Sequence, residues 1–192
     1  MERTDEEAMM DYQRGNQDAV CELFQRYKTR VLHFCLGMLS NRADAEDVAG
    51  EVFIAVMEQG NGYHHGRKFS TWLYTIARNK CVDRLRRRWR WVPLLGSPSD
   101  DDSPPAWDLP SSDEPTSETM ARDERAAQVR RAVKRLPREQ REAIMLRQYH
   151  ECSYEQIAEI LGCSLAKVKI LIFRGKERLR TELAALIQED TQ

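Results

Sequence analysis

Lys167, Lys169, Arg174, Lys176, Arg178 and Arg180 recur through one short stretch, and Val168, Leu171, Ile172 and Leu179 alternate with them at helical spacing. Cations repeated along one side of a helix bind phosphate, because each neutralises a backbone charge and releases a condensed counterion. A second basic block, Arg78, Lys80, Arg84, Arg86, Arg87, Arg88 and Arg90, is opposed only by Asp83. Such a block is a polyanion contact or a solvated face. A third group is acidic: Asp44, Glu46, Asp47 and Glu51 stand opposite Ala45, Val48, Ala49, Val52, Phe53, Val56 and Met57. Asp44, Asp47 and Glu51 share a face, but a di-metal carboxylate site would want a Glu-x-x-His partner on another helix, and the sequence has none. The remaining readings are a docking surface for a protein and a plain solvated helix.

The elements that position these groups are helices. Around the first cluster, SYEQIAEILGCSLAKVKILIFRGKERLR reads as helix, tight turn, helix. Ser153 and Gln156 have the spacing of a capping box. Ile157, Ala158, Ile160 and Leu161 follow at helical intervals. Gly162 stops the helix where a left-handed backbone is needed, and Ser164 is placed to cap the next one. Two short helices, the second basic, form a helix-turn-helix or a plain amphipathic hairpin. Upstream, Val20, Leu23, Phe24, Tyr27, Val31, Phe34, Cys35 and Met38 predict a long helix. The acidic group predicts a second, and Ser70–Thr71 opens a third that runs into RLRRRWRW. Between them lies a loop of Gly, Asn and His from 60 to 66. A helix near Ala121 to Leu136 and another over 138–149, with Pro137 at its first position, complete an all-α expectation.

Charge divides the 192 residues into three. Residues 1–92 carry 15 Lys plus Arg against 13 Asp plus Glu, and residues 121–192 carry 15 against 11. Residues 93–120 carry seven acids, no Lys or Arg, and six of the seven prolines. Proline removes backbone donors and like charges repel, so that segment is expected to be an extended linker. No run of eighteen or more apolar residues occurs, which argues against a spanning helix. The acidic opening MERTDEEAMMDYQ lacks the apolar core of a secretory signal. Five cysteines without a CxxC pair argue for reduced thiols and a cytoplasmic setting. His150 with Cys152 is too sparse for zinc, and no cofactor is implied. Two functions fit parts of this pattern: a duplex-binding regulator whose first unit senses a signal, and a nucleic-acid enzyme, for which clustered catalytic groups are missing.

Three stretches in order, AEDVAGEVFIAVMEQ, FSTWLYTIARNKCVDRLRRR and LPREQREAIMLRQYHECSYEQIAEILGCSLAKVK, with an acidic linker before the last, resemble the extracytoplasmic-function (ECF) sigma factors of bacterial RNA polymerase, short members of the sigma-70 family. The resemblance implies two helical domains, sigma domain 2 over 1–92 and sigma domain 4 over 121–192, joined by the linker 93–120. It implies a chain that performs no catalysis, binds core polymerase, recognises a promoter's −10 and −35 elements and melts the first. The implied partners are core polymerase through its β′ clamp and β subunit, promoter DNA in double- and single-stranded form, and an anti-sigma protein. The chain would not insert in a membrane; an anti-sigma partner would be its route there.

By resemblance, Asp44, Glu46, Asp47 and Glu51 are the polymerase contacts. Tyr63, Phe69, Arg78, Asn79, Lys80, Asp83, Arg84, Arg87 and Arg88 serve the −10 element, cations for phosphate and the loop from Asn61 to Arg67 for an unstacked base. Asn79 and Asp83 would bond base edges or orient Arg84. Trp89 and Trp91 stack on DNA or cover the domain's end. Ser164, Lys167, Lys169, Arg174, Lys176 and Arg178 serve the −35 element. The elements lie roughly 25 base pairs apart, about 85 Å; the linker reaches at most about 95 Å and relaxes to about 30 Å. Its acidity suits a cationic polymerase channel or a solvated spacer. The chain departs from the family in two places. Ile170 and Leu171 stand where a Ser-Arg pair is common, which removes a base-reading arginine and leaves an apolar patch for thymine methyls or a partner protein. Cys152 and Cys163 replace aliphatic residues, as small apolar fillers or as a redox pair.

Overall fold

The first helix, α1 (Asp5–Gln13), starts at a reciprocal cap. Thr4 Oγ1 accepts from the Glu7 amide at 3.2 Å, and the Glu7 carboxylate accepts from the Thr4 amide at 2.8 Å. This computed structural model describes residues 3–95 and 117–189, and the side chains of 3–88 and 125–184. Among the described residues there are eight α-helices, one 3-10 turn and no strand. Asn16 caps α2 (Gln17–Leu39) and Asn41 caps α3 (Arg42–Gln59). Ser40 between them turns the chain at φ +55°, its amide bonding the Leu36 carbonyl. The 3-10 turn Gly60–Gly62 and a loop lead to α4 (Phe69–Leu95). These four helices make one compact unit.

Its core follows the predicted periodicity. Leu23, Val31, Phe34 and Met38 of α2 are buried with Ala45, Val48, Val52 and Val56 of α3 and with Leu73, Tyr74, Ala77 and Cys81 of α4. Phe34 meets Tyr74 edge-on with ring centroids 5.6 Å apart. α1, which the apolar pattern did not announce, adds Ala8 and Met9. It comes so close to the 3-10 turn that a Cβ on Gly60 would stand 2.6 Å from the Tyr12 ring. Two residues expected in the core lie outward: Phe24 is 40% and Met57 47% exposed. Phe24 still leans edge-on against Phe53 at 4.8 Å.

The second unit contains α5 (Ser117–Arg135), α6 (Arg138–Gln148), α7 (Tyr154–Leu161) as far as Ala158, and α8 (Leu165–Glu189). Pro137 is the residue before α6, with extended ψ of 141°, rather than its first turn. α8 packs on α5 and α6. Ala143, Ile144, Met145 and Leu146 are buried with Val168, Leu171 and Ile172. The expected caps are present. Ser153 Oγ accepts from the Gln156 amide and Gln156 accepts from the Ser153 amide; Ser164 Oγ accepts from the Lys167 amide. Gly162 turns at φ +64°, a conformation that a Cβ would strain. α4 continues to Leu95 and α5 begins at Ser117, so helix takes both ends of the segment expected to be extended. Residues 96–116 of that segment, and the side chains of Trp89 and Trp91, lie outside the described residues. Among the described residues no helix is long and apolar enough to cross a membrane.

Candidate functional site

The acidic group and the basic block face each other across α3 and α4. Asp44, Asp47 and Glu51 recur at three and four, which stacks them on one side of α3. Arg84 of α4 reaches into them: Nη1 lies 2.7 Å from Asp44 Oδ1 and 3.6 Å from Asp47, and Nη2 lies 3.1 Å from Glu51. Lys80, one turn earlier, stands 3.5 Å from Glu51. Burial by itself would lower the Arg84 pKa, but the hydrogen bonds to Asp44 and Glu51 outweigh it and raise it. Arg84 and Lys80 were expected to meet phosphate. In this structure they belong to the α3 face, because their stripe of α4 is the one turned toward the acids. Glu46 pairs with Arg42 at 2.8 Å, and the Asp47 side chain is 68% exposed.

The α3 face also holds a residue the sequence reading missed. Asp47, Gly50, Ile54 and Met57 form one line at spacings of three and four. Ile54 is 51% exposed, and Met57, assigned inward by its periodicity, shares the surface with it. The signal for Ile54 was available: it falls on the acid stripe of the helix, not on the apolar one.

The loop before α4 is built from the inside. Tyr63 and Phe69, expected to receive a base, are 3% and 0% exposed. Their rings are the foundation of the loop. Tyr63 lies 5.3 Å from Trp72 and 6.2 Å from Phe69 by ring centroids, and its hydroxyl donates to the Arg67 carbonyl. Burial, then the nearby Glu6 charge, push the Tyr63 pKa up to about 12. α1 ties the loop down. Gln13 donates to the carbonyls of Gly60 at 2.8 Å and Tyr63 at 3.0 Å, and Glu6 accepts from the Phe69 amide at 3.0 Å, capping α4 from another helix. Asn61, His64, His65 and Lys68 remain on the surface.

Along α4, Asn79, Asp83, Arg86 and Arg87 are exposed on one stripe, with Arg88 exposed beside it. Arg86 lies 3.8 Å from Asp83, while Arg84 turns to Asp44 and Glu51. Arg78 is half-buried. α4 therefore divides its cations, one stripe to α3 and another to solvent.

The cap Ser164 and, on α8, Lys167, Lys169, Arg174, Lys176 and Arg178 are all exposed. Lys167 Nζ also bonds Glu139 of α6 at 2.9 Å. The expected apolar patch is half right. Ile170 is 51% exposed, but Leu171 is 8% exposed and joins the core. Phe173, which the sequence reading did not single out, takes the surface place at 67% exposed. Cys152 is buried, Cys163 half-buried, and both are free thiols.

Residues 23–90 match the family model for sigma-70 region 2, and residues 126–179 match that for sigma-70 region 4. The chain is 31% identical over 187 residues to the ECF RNA polymerase sigma factor SigW of Bacillus subtilis (strain 168), covering 97% of this chain and 100% of that one. It is 30% identical over 190 residues to the ECF RNA polymerase sigma-E factor of Escherichia coli (strain K12), covering 96% and 97%. Two solved structures share the fold. CnrH in complex with the cytosolic domain of CnrY has a TM-score of 0.68 at 23% identity, covering 95% of this chain and 99% of that one. RpoE in complex with the anti-sigma factor NepR from Bartonella quintana has a TM-score of 0.71 at 23% identity, covering 85% and 95%. With both regions matched in order and relatives aligned over nearly their whole length, the chain belongs to the ECF RNA polymerase sigma factors of the sigma-70 family.

Proposed function

We infer that this chain is a transcription initiation factor that binds core RNA polymerase, carries it to promoters with −10 and −35 elements, and opens the DNA at the first. The observation that carries the reading is that α4 and α8, in the two units matched to the two sigma-70 regions, each expose a line of cations opposite their buried side. A partner with two stretches of phosphate suits both lines. The boundaries that follow are 1–92 for the −10 unit, 93–120 for the acidic connection and 121–192 for the −35 unit.

The roles divide by surface. The α3 line of Asp47, Ile54 and Met57, with Asp44 and Glu51 held by Arg84, docks on the polymerase clamp. Asn79, Arg86, Arg87 and Arg88 of α4 and the exposed Asn61, His64 and His65 of the loop meet the opened −10 strand. Ser164, Lys167, Lys169, Arg174, Lys176 and Arg178 hold the −35 duplex. Bond-making stays with the polymerase. The two structural neighbours are complexes with CnrY and with the anti-sigma factor NepR. A similar protein is assigned here as the regulator that covers these surfaces, and the cytoplasm as the place of action.

Run-off transcription by core polymerase on a genomic fragment library tests the reading. Discrete start sites that appear only when the chain is added are expected. Unchanged core activity, or specific operator binding by the chain without polymerase, would overturn it.

A further inference from the structure

We propose that Ile170 is a specificity-determining residue that reads thymine methyl groups in the −35 element. The inference rests on the reading of α8 as the −35 recognition helix. At 3.6 residues per turn, the buried positions Val168, Leu171, Ile172 and Gly175 fix the inner side of α8. The line opposite passes through Ala166, Ile170, Phe173 and Glu177, all exposed. Cations flank that line on both sides: Lys167, Arg174 and Arg178 on one, Lys169, Lys176 and Arg180 on the other.

Two rows of positive charge, separated by the width of a helix, match the two phosphate strands that border a major groove. Whatever stands between the rows faces the base edges. There the chain places the methyl of Ala166, the branched side chain of Ile170 and the ring of Phe173, with no side-chain donor or acceptor before Glu177. Thymine is the base that offers a methyl group in the major groove, and an apolar side chain recognises it by taking both surfaces out of water. Glu177 is an acid on the same line and ends the readable stretch, because an uncompensated carboxylate is repelled by the phosphate field. A protein partner seated on this line would leave two rows of cations facing its apolar surface, so the charge pattern favours DNA as the occupant. Ile170 sits centrally on the line and at 51% exposed has the surface to give.

The test uses the full chain with core polymerase and a promoter from which the pair initiates. Each thymine of the −35 element is replaced in turn by deoxyuridine, which lacks only the 5-methyl group. Initiation should fall about fourfold at one or two positions, the value of one buried methyl. The same replacements should be neutral with Ile170→Ser, while Ile170→Val, which keeps a branched apolar surface, should retain the sensitivity. Uracil tolerated everywhere by the wild-type chain, equal sensitivity in Ile170→Ser, or a selected −35 sequence without an A·T pair would each overturn the proposal. Failure of the wild-type chain to initiate from any promoter is a distinct result; it overturns the sigma-factor function beneath the proposal and the proposal with it.

Discussion

Arg84 on α4 and Asp44 on α3 meet at 2.7 Å, and the other arm of the same guanidinium reaches Glu51 at 3.1 Å. The helix proposed for DNA and the helix proposed for polymerase thus share one charged joint. Coulomb attraction between partly exposed groups is modest, about 0.2–1 kcal/mol per pair, but here one cation serves three acids.

Arg84→Glu would set a fourth carboxylate among Asp44, Asp47 and Glu51. It is expected to destabilise the first unit by about 1–2 kcal/mol at low salt, less at high salt, and to weaken core polymerase binding. Arg87→Glu, on the solvent stripe, should leave core binding intact and abolish promoter opening. Core affinity and permanganate reactivity of the −10 thymines separate the two. Equal losses of core binding in both variants would refute the division of α4 into two stripes.

Ile54 is half exposed, so its replacement creates no cavity. Ile54→Glu should change the folding free energy by no more than about 0.5 kcal/mol and lower core affinity tenfold or more, about 1.4 kcal/mol. Titration of labelled chain with core polymerase, beside a urea melt, measures both. Unaltered affinity would remove Ile54 from the docking line.

Gly175 tests the packing of α8 on α6. A Cβ there would stand 2.8 Å from Ile144 Cγ1, and Ile144 is 2% exposed with little room to move. Alanine normally favours a helix over glycine by about 1 kcal/mol, but crowding of this kind costs about 1–3 kcal/mol. Gly175→Ala is therefore expected to destabilise the wild-type chain and to stabilise an Ile144→Ala background. Stabilisation in both backgrounds would show that α6 and α8 adapt.

His33 makes the first unit sensitive to mild acid. Its Nε2 is buried without a hydrogen bond, and burial lowers its pKa. A group whose folded pKa is depressed contributes stability that is complete above its unfolded value, about 6.5, and is lost as pH falls through the folded one. The urea midpoint should therefore drop between pH 7 and pH 5.5, and His33→Leu should flatten that slope. Tryptophan fluorescence reads the effect, since three of the four tryptophans, Trp72, Trp89 and Trp91, belong to the first unit.

The sequence made faces legible but not the partners of those faces. The Ser153–Gln156 box, the Gly162 turn and the Ser164 cap were readable because each is settled by residues within a few positions of one another. Lys80 and Arg84, four residues apart, share one stripe of α4. That this stripe looks at α3 is decided by how two distant helices pack, and no local pattern carries it. The burial of Tyr63 and Phe69 was hidden for the same reason: an aromatic in a polar loop reads as exposed until Trp72 is found against it. α1 was missed although Thr4 and Glu7 stand at capping-box spacing, because its short apolar face, Ala8 and Met9, gives too little periodicity to register.

Gln13 and Glu6 clamp the loop and the start of α4 from α1. Damage to α1 is thus not neutral: a change that frays its turns would surface as defective strand separation far along the polypeptide, with the basic residues themselves untouched.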